Sequence, residues 1–394
     1  MRKHRPDFSI LLLTLALMAT GLIIVYAIGP RTAQSEGFSG DYYFSGHLKA
    51  IFASLFVLFV SAILPYKFVG KYSKGITILA FALCFLTAIL GRAGVGGSFV
   101  ICDEGACRAL NFPIVGSFQP AEFLKIAVLF YGAWLVSDRR KKKQLAKSEF
   151  WLPMGVIIAG VAFVLAFLEK DLGSTAVIYL MLAAMMFVGE MPWKQLGIFA
   201  LVIIACVALL IKVAPHRLDR LASFNGNGDD FHITNSLIGF GTGGAFGVGL
   251  GNSIQTTGYL PEAPSDSIFS VVGEAWGFVG AVAILVAYVV MLVRILKVSQ
   301  CTEDDEQNLF TVGVFTWIFA PVIINVGGML ALMPMKGITL PFLSHGGTSM
   351  MFVSFAVGMT LQISRWTKRE AIDENSSSRR GERGTRYASG RRRS

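Results

Sequence analysis

The sequence is poor in charged residues. Asp, Glu, Lys and Arg make up only 15% of the 394 residues, whereas 54% are hydrophobic. The mean hydropathy is +0.61. A typical soluble domain carries about 25% charged residues, so a soluble globule could not bury this much apolar surface. The composition therefore excludes a soluble protein and indicates a chain that crosses a membrane several times.

Several chemical signals are also missing. The sequence shows no His and Cys spacing typical of a metal site, no nucleophile elbow and no strong internal repeat. The missing repeat argues mildly against a transporter built from two homologous halves. Among the five cysteines, Cys102 and Cys107 lie close together in a predicted outer loop, and the sequence leaves open whether they are joined.

Ten apolar runs approach the length of about 20 residues that crosses about 30 Å of hydrocarbon. The first run is too long for a cleavable signal peptide and lacks a clear cleavage site. The sequence therefore predicts an all-α polytopic membrane protein with about ten transmembrane helices and a large extracellular loop, 214–267, between helices 7 and 8. The runs are 8–28, 46–65, 75–91, 120–137, 152–168, 172–189, 196–213, 268–293, 310–332 and 348–363.

The distribution of positive charge predicts the orientation. Most of the 35 Lys and Arg residues fall on one side of the membrane if the amino terminus is cytoplasmic, and this side is the cytoplasm by the positive-inside rule. The predicted divisions are a cytoplasmic segment 1–7, a membrane domain 8–363 and a basic cytoplasmic tail 364–394. The tail lacks apolar periodicity and is predicted to be disordered. Its arginines suit lipid headgroups better than nucleic acid.

Polar residues cluster at the predicted outer ends of helices. Glu122 and Lys125 are three residues apart near the start of the fourth span, where an ionisable pair either faces a cavity or forms a buried ion pair that fixes helix packing. Arg217 and Arg220 have the same spacing in the long loop and suit either phosphate oxygens or lipid headgroups. Asp266 precedes the eighth span, as either a helix cap or a working carboxylate.

One further polar cluster, 169–175, lies between the predicted sixth and seventh spans. In it, Asp171 and Ser174 are placed to cap the helix that follows.

Four motifs carry a resemblance to a known family. They are FQPAEFLK at 118–125, KDLGSTAV at 170–177, HITNSLIGFGTGGAFGVGLGNSIQTTGYLPEAPSD at 232–266 and GITLPFLSHGGTS at 337–349. Through them the chain resembles the SEDS family (shape, elongation, division and sporulation) of peptidoglycan polymerases, and GLGNSIQ at 249–255 is closer to the division branch. The loop 92–119, with its two cysteines, differs from the common form.

The resemblance implies an inverting glycosyltransferase that polymerises lipid II, a disaccharide-pentapeptide on undecaprenyl pyrophosphate, at the outer face of the cytoplasmic membrane during septal wall synthesis. Asp266 is then expected to be the general base on the acceptor hydroxyl. Cations are expected near the leaving pyrophosphate. The residues expected to bind substrate are Glu122, Lys125, Arg217, Arg220, Asn252, Glu262, Lys336 and Ser344.

The expected partners are lipid II, a class B penicillin-binding protein that supplies the transpeptidase, and other membrane proteins of the division machinery. No nucleic acid is expected. A divalent cation, Mg²⁺ or Mn²⁺, at the pyrophosphate is left open, since the sequence shows no dedicated metal ligands and no other cofactor is implied. The alternatives are a flippase or transporter of the lipid-linked precursor and a non-catalytic division scaffold.

Overall fold

A computed structural model of the chain describes residues 5–94, 99–103, 106–112, 116–213, 231–253, 260, 262–333 and 337–367. Within these residues, eight helices are long and apolar enough to cross a membrane, and Leu172–Val188 and Trp193–Cys206 are shorter apolar helices. Together they match the ten predicted spans, so the prediction of a helical, multi-pass membrane protein is confirmed. Three predicted site residues, Arg217, Arg220 and Lys336, and the tail from 368 lie outside the described residues.

The helices extend beyond the predicted apolar runs in several places. The first continues past the predicted end at Ile28 to Ser35, and one helix lies inside the predicted long loop. In chain order the helices are α1 (Phe8–Ser35), α2 (Tyr42–Ile63), α3 (Tyr66–Lys71), α4 (Ser73–Arg92), α5 (Pro120–Lys141), α6 (Ser148–Val161), α7 (Leu172–Val188), α8 (Trp193–Val213), α9 (Phe231–Gly243), α10 (Ile268–Gln300), α11 (Asp305–Met329) and α12 (Gly347–Ser364). The α6 helix runs on as a π-helix over Ala162–Leu168.

The bundle has an inner and an outer layer of helices. In α5, 83% of the spanning window is buried inside the protein, against 28% in α4. The α11 and α12 helices are also mostly enclosed, at 72% and 67%. Polar side chains on these inner helices therefore face protein or an internal cavity rather than lipid, which is where ionisable groups in a membrane are tolerated.

A small antiparallel sheet, which the sequence analysis did not predict, lies between α4 and α5. Its strands are β1 (Val100–Asp103), β2 (Ala106–Phe112) and β3 (Gly116–Phe118), with β2 in the centre. Cys102 and Cys107 face each other in the β1–β2 pair and form a disulfide. The structure thus answers the question that the sequence left open.

The two ends of the membrane domain meet on the same side of the bundle. Asp7, just before α1, accepts a charge-assisted hydrogen bond from Arg294 of α10, with 2.7 Å between Nη2 and Oδ2. Its backbone N–H donates to Ser364 at the end of α12 over 3.1 Å. An even number of spans places both ends of the membrane domain on the same side of the membrane. Which side this is stays a prediction.

The α10 helix is broken at Gly277, which has φ 67° and ψ −167°. A glycine-rich strap, residues 243–249, pairs with the backbone groups around the break. Val248 and Gly249 donate their N–H groups to the carbonyls of Glu274 and Ala275, each over 3.0 Å. In return the strap carbonyls of Gly244 and Ala245 accept from Phe278 and Val279. Non-helical backbone near a bilayer requires such partners.

Glycine is needed in the strap because the two backbones nearly touch. A Cβ on Gly247 would lie 2.2 Å from the carbonyl oxygen of Ala275, and Gly247 has φ +83°. An L-residue pays about 1–2 kcal/mol for a left-handed conformation alone. By contrast, a Cβ on Gly241 of α9 would meet no atom within 4 Å.

We expect Gly247→Ala to lower the free energy of unfolding by more than about 2 kcal/mol, because the strain of the positive φ adds to the contact with Ala275. The matched change Gly241→Ala should be neutral or stabilising by roughly 0.5–1 kcal/mol, since alanine favours a helix. Thermal unfolding of both variants in detergent, followed by tryptophan fluorescence, checks this. Equal melting temperatures for the two variants would contradict the role of the strap.

Candidate functional site

Asp266 lies in a compact turn at the start of α10. The carbonyl of Glu262, a residue with φ 50°, accepts the N–H groups of Ser265 and Ser267, each over 3.1 Å. The helix N-cap is Ser267, so the N-cap position does not fall on Asp266. Asp266 itself is half-buried in this turn.

A buried amide fixes the backbone of this turn. Asn325 of α11 donates through Nδ2 to the carbonyl oxygens of Asp266 (2.6 Å) and Ile338 (2.8 Å). The N–H of His345 also donates to the Pro264 carbonyl over 2.8 Å. The turn and the segment 337–345 are thus held together from two directions.

The carboxyl group of Asp266 lies directly against the next segment of chain. A Cβ built on Gly337 would be only 2.6 Å from Oδ2 of Asp266. Gly337 also lines an internal cavity of about 230 Å³. Asp266 therefore lies next to the cavity wall, and a residue larger than glycine at position 337 would displace its carboxyl group.

The surroundings of Asp266 favour its protonated form. Burial, followed by the negative charges of Glu262 and Asp171, raises the pKa of Asp266 to about 7, and the Arg108 guanidinium partly offsets this. A carboxyl group with this pKa exchanges its proton near neutral pH, which suits a general base or acid.

The cavity lies between α5, α7, α11, α12 and the sheet, and an ion pair from α5 lines it. Lys125 donates to Glu122 with 2.6 Å between Nζ and Oε1, and their side chains are 8% and 6% exposed. Among the described residues, the second oxygen of Glu122, Oε2, has no hydrogen-bond partner. The cavity therefore offers a buried acceptor and a cation to a polar ligand.

Asp171 belongs to the same cavity wall. Its Oδ1 accepts the N–H of Ser174 over 2.9 Å and caps α7, so the predicted capping role is confirmed for Asp171. Its charge also acts on Asp266. Asp171 therefore has two roles, as the N-cap of α7 and as a negative charge that acts on Asp266.

The other predicted site residues lie nearby or at the edge. Glu262 is exposed and accepts from the hydroxyl of Ser265 over 2.7 Å. Asn252 is exposed beyond the strap and donates to the Val248 carbonyl over 3.1 Å. Ser344 is buried, and its hydroxyl accepts the N–H of Leu340 over 2.9 Å, so it shapes the turn before α12. Their roles toward substrate stay predictions.

Sequence reasoning missed two residues next to the site. Asn325 could have been noticed as an amide within an otherwise apolar span, since polar groups there are rare and specific. Arg108 lies in the cysteine-containing segment, and no local pattern marked it. Within the described residues, no group of three or more His, Cys, Asp or Glu side chains could hold a metal ion.

Comparison with known proteins identifies the family of the chain. Residues 8–369 match the family model FtsW/RodA/SpoVE, described as "Cell cycle protein". The chain is 31% identical over 370 residues to a probable peptidoglycan glycosyltransferase FtsW of Coxiella burnetii, covering 92% of this chain and 97% of that protein. It is 31% identical over 375 residues to the stage V sporulation protein E of Bacillus subtilis, with 93% and 99% covered.

Two solved structures share the fold. A chain from a peptidoglycan synthase complex, described as coordinating polymerization and crosslinking, superposes with a TM-score of 0.73 at 22% identity, over 91% of this chain and 98% of that chain. The rod shape determining protein RodA of Thermus thermophilus superposes with a TM-score of 0.66 at 21% identity, over 92% and 98%. The match of the family model over nearly the whole membrane domain shows that this chain belongs to the FtsW/RodA/SpoVE family of cell cycle proteins.

Proposed function

We propose that this protein is a peptidoglycan glycosyltransferase that polymerises lipid II at the outer face of the cytoplasmic membrane, for septal wall synthesis in cell division. Relatives of 31% and 33% identity are named as probable peptidoglycan glycosyltransferases FtsW. The observation that carries the proposal is the placement of Asp266. Asn325 holds its backbone, and its carboxyl group lies against Gly337, a residue of the polar cavity wall.

In the proposed reaction, Asp266 accepts the proton of the acceptor's GlcNAc 4-hydroxyl while that oxygen attacks C1 of the donor's MurNAc. The bond from C1 to the pyrophosphate oxygen breaks, and undecaprenyl pyrophosphate leaves with the electron pair from the opposite face. Attack on one face and departure from the other convert the α-linked donor into a β-linked product. A base with a pKa of about 7 is matched to this task at neutral pH.

The cavity is proposed to hold the polar part of the substrate. The free oxygen of Glu122 can accept a hydrogen bond from a sugar hydroxyl or peptide amide, and Lys125 contributes positive charge. Asn252, Glu262 and Ser344 are further binding candidates. Lys336, Arg217 and Arg220 are proposed to stabilise the leaving pyrophosphate. The described residues hold no group of three or more His, Cys, Asp or Glu side chains for a metal ion, whereas Mg²⁺ often takes only one or two carboxylates together with substrate phosphates.

The proposed partner is a class B penicillin-binding protein, because the reaction forms glycan strands and leaves crosslinking to another enzyme. A chain of the same fold is part of a peptidoglycan synthase complex, which supports this partnership. Other membrane proteins of the division machinery are also proposed partners. We further propose that 1–7 and 364–394 are cytoplasmic, which agrees with the meeting of both ends of the membrane domain at Asp7.

Asp266→Asn should reduce glycan-strand formation by at least about 100-fold, since a general base contributes about 10²–10⁴ in rate. The assay incubates the purified complex with lipid II and resolves the polymer on gels. Asp41→Asn is the matched control, because Asp41 is an exposed aspartate before α2 whose side chain makes no cap hydrogen bond.

Polymer formed by Asp266→Asn at the wild-type rate would refute the general-base role. Lipid II crossing liposome membranes without polymer would instead favour the flippase. Binding to the partner with no polymer under any condition would favour the scaffold.

The rate should rise with pH through about 7. Asp266 must be deprotonated to act as a base, and burial raises its pKa to about 7, so each pH unit below this value should lower the rate about tenfold. Glu262→Gln removes a negative charge that raises this pKa, so the acid limb should move to lower pH. Rates measured from pH 5.5 to 9 check the shift, and an unmoved limb would contradict it.

Substitution of the Glu122 and Lys125 pair separates packing from binding. Lys125→Met alone leaves a buried carboxylate without its cation and should cost about 3–5 kcal/mol of stability. The double variant Glu122→Gln/Lys125→Met should recover most of the melting temperature but not the polymerisation rate, if the pair binds substrate. Recovery of both properties would mean that the pair only fixes helix packing.

A further inference from the structure

The guanidinium group of Arg108, a residue of the sheet, lies against the turn between α6 and α7. Arg108 of β2 donates through Nε to the carbonyl oxygen of Glu169 over 2.9 Å and through Nη2 to that of Lys170 over 3.2 Å. Arg92, at the end of α4, donates to the preceding carbonyl, that of Leu168, over 3.1 Å. Two arginines therefore donate hydrogen bonds to three consecutive carbonyl oxygens at the end of the π-helix.

These carbonyls need partners because a helix end leaves its last carbonyl groups without intrahelical hydrogen bonds. The turn is also constrained, since Lys170 has φ 55°, a conformation that residues other than glycine rarely adopt. The next residue is Asp171, which caps α7 and lines the cavity. The position of the Asp171 carboxylate thus depends on how firmly this turn is held.

Arg108 is itself held by the sheet. Its strand is paired on both sides, with Leu110 facing Val100 on one side and Phe118 on the other. The preceding residue, Cys107, is joined to Cys102. This cystine rests on the backbone of α4, where a Cβ built on Gly91 would lie 2.2 Å from the Cys107 sulfur. The disulfide therefore fixes the sheet on α4 one residue before Arg108.

Arg108 is also the cation in a cluster of acids. Burial, together with the charge of Asp171, raises the pKa of Glu169 to about 9, against the opposing effect of Arg108. Among the described residues, the charges that act on Asp266 are Glu262 from its own turn, Asp171 from the turn before α7, and Arg108 from β2. Within the part of the chain that the structure describes, Asn325 of α11 and Gly337 of the segment after it lie against Asp266 and carry no charge.

We propose that Arg108 is a positioning residue of the glycosyltransferase site. It clamps the carbonyls of Glu169 and Lys170, and so it fixes Asp171 in the cavity wall and offsets the negative charge around Asp266. The Cys102–Cys107 disulfide holds the sheet that carries it. The inference rests on the proposed function for its effect on rate, and on geometry alone for its effect on the turn.

The test compares Arg108→Gln with Arg92→Gln, a control that removes one hydrogen bond to the same turn but none of the charges acting on Asp266. Arg108→Gln should move the acid limb of the rate profile to higher pH, by up to about one unit. Arg92→Gln should leave the limb in place. Arg108→Lys, which keeps the charge but not the two-carbonyl contact, should stay nearer to the wild-type limb than Arg108→Gln.

Amide hydrogen exchange gives a readout that does not need activity. Exchange in the segment 168–175 should be faster in Arg108→Gln than in the wild type, and the pair Cys102→Ser/Cys107→Ser should show the same direction. If Arg108→Gln exchanged the amides of this segment at the wild-type rate, the proposed clamp would be refuted.

The two failures can be told apart. If the wild type forms polymer and Asp266→Asn does not, the proposed function stands, and an acid limb in Arg108→Gln identical to that of Arg92→Gln then sinks only the electrostatic part of this proposal. If the wild type forms no polymer, the proposed function fails, and hydrogen exchange alone decides whether Arg108 holds the turn.

Discussion

The site depends on one buried amide in an apolar helix. Asn325 donates both N–H groups of its side chain to backbone carbonyls, one before α10 and one before α12. An amide placed among apolar groups is costly unless it is paired. The pairing therefore holds the Asp266 turn and the 337–345 segment in one arrangement, and Gly337 is the residue that lets them approach.

The same requirement for paired polar groups explains the irregular backbone at this end of the bundle. The α10 helix breaks at Gly277, and the glycine-rich strap 243–249 supplies hydrogen-bond partners for the backbone groups that the break leaves unpaired. The carbonyls at the end of the π-helix are taken by Arg92 and Arg108. A membrane domain can thus carry these two non-helical segments, because protein groups take the place of water as their hydrogen-bond partners.

The chemistry follows from the balance of charge around this backbone. Asp171 and Glu262 surround Asp266 with negative charge, and Arg108 opposes them. The carboxyl group is therefore neither strongly ionised nor permanently neutral near pH 7. The three charges come from separate parts of the chain. A change in the sheet or in the turn before α7 therefore shifts the pKa of Asp266 without a direct contact to its side chain.

The sequence by itself determined the ten spans and the membrane class, because crossing hydrocarbon imposes a length and a composition that are local properties. It also marked Asp266, Glu122 and Lys125 through their motifs, and it predicted that Asp171 caps α7. Only the tertiary structure decided that Asn325 binds a carbonyl 59 residues away and that Arg108 meets the Glu169 carbonyl 61 residues on. The physical reason is that such contacts join groups distant along the chain, so their partners are set by how the helices pack and not by any local pattern.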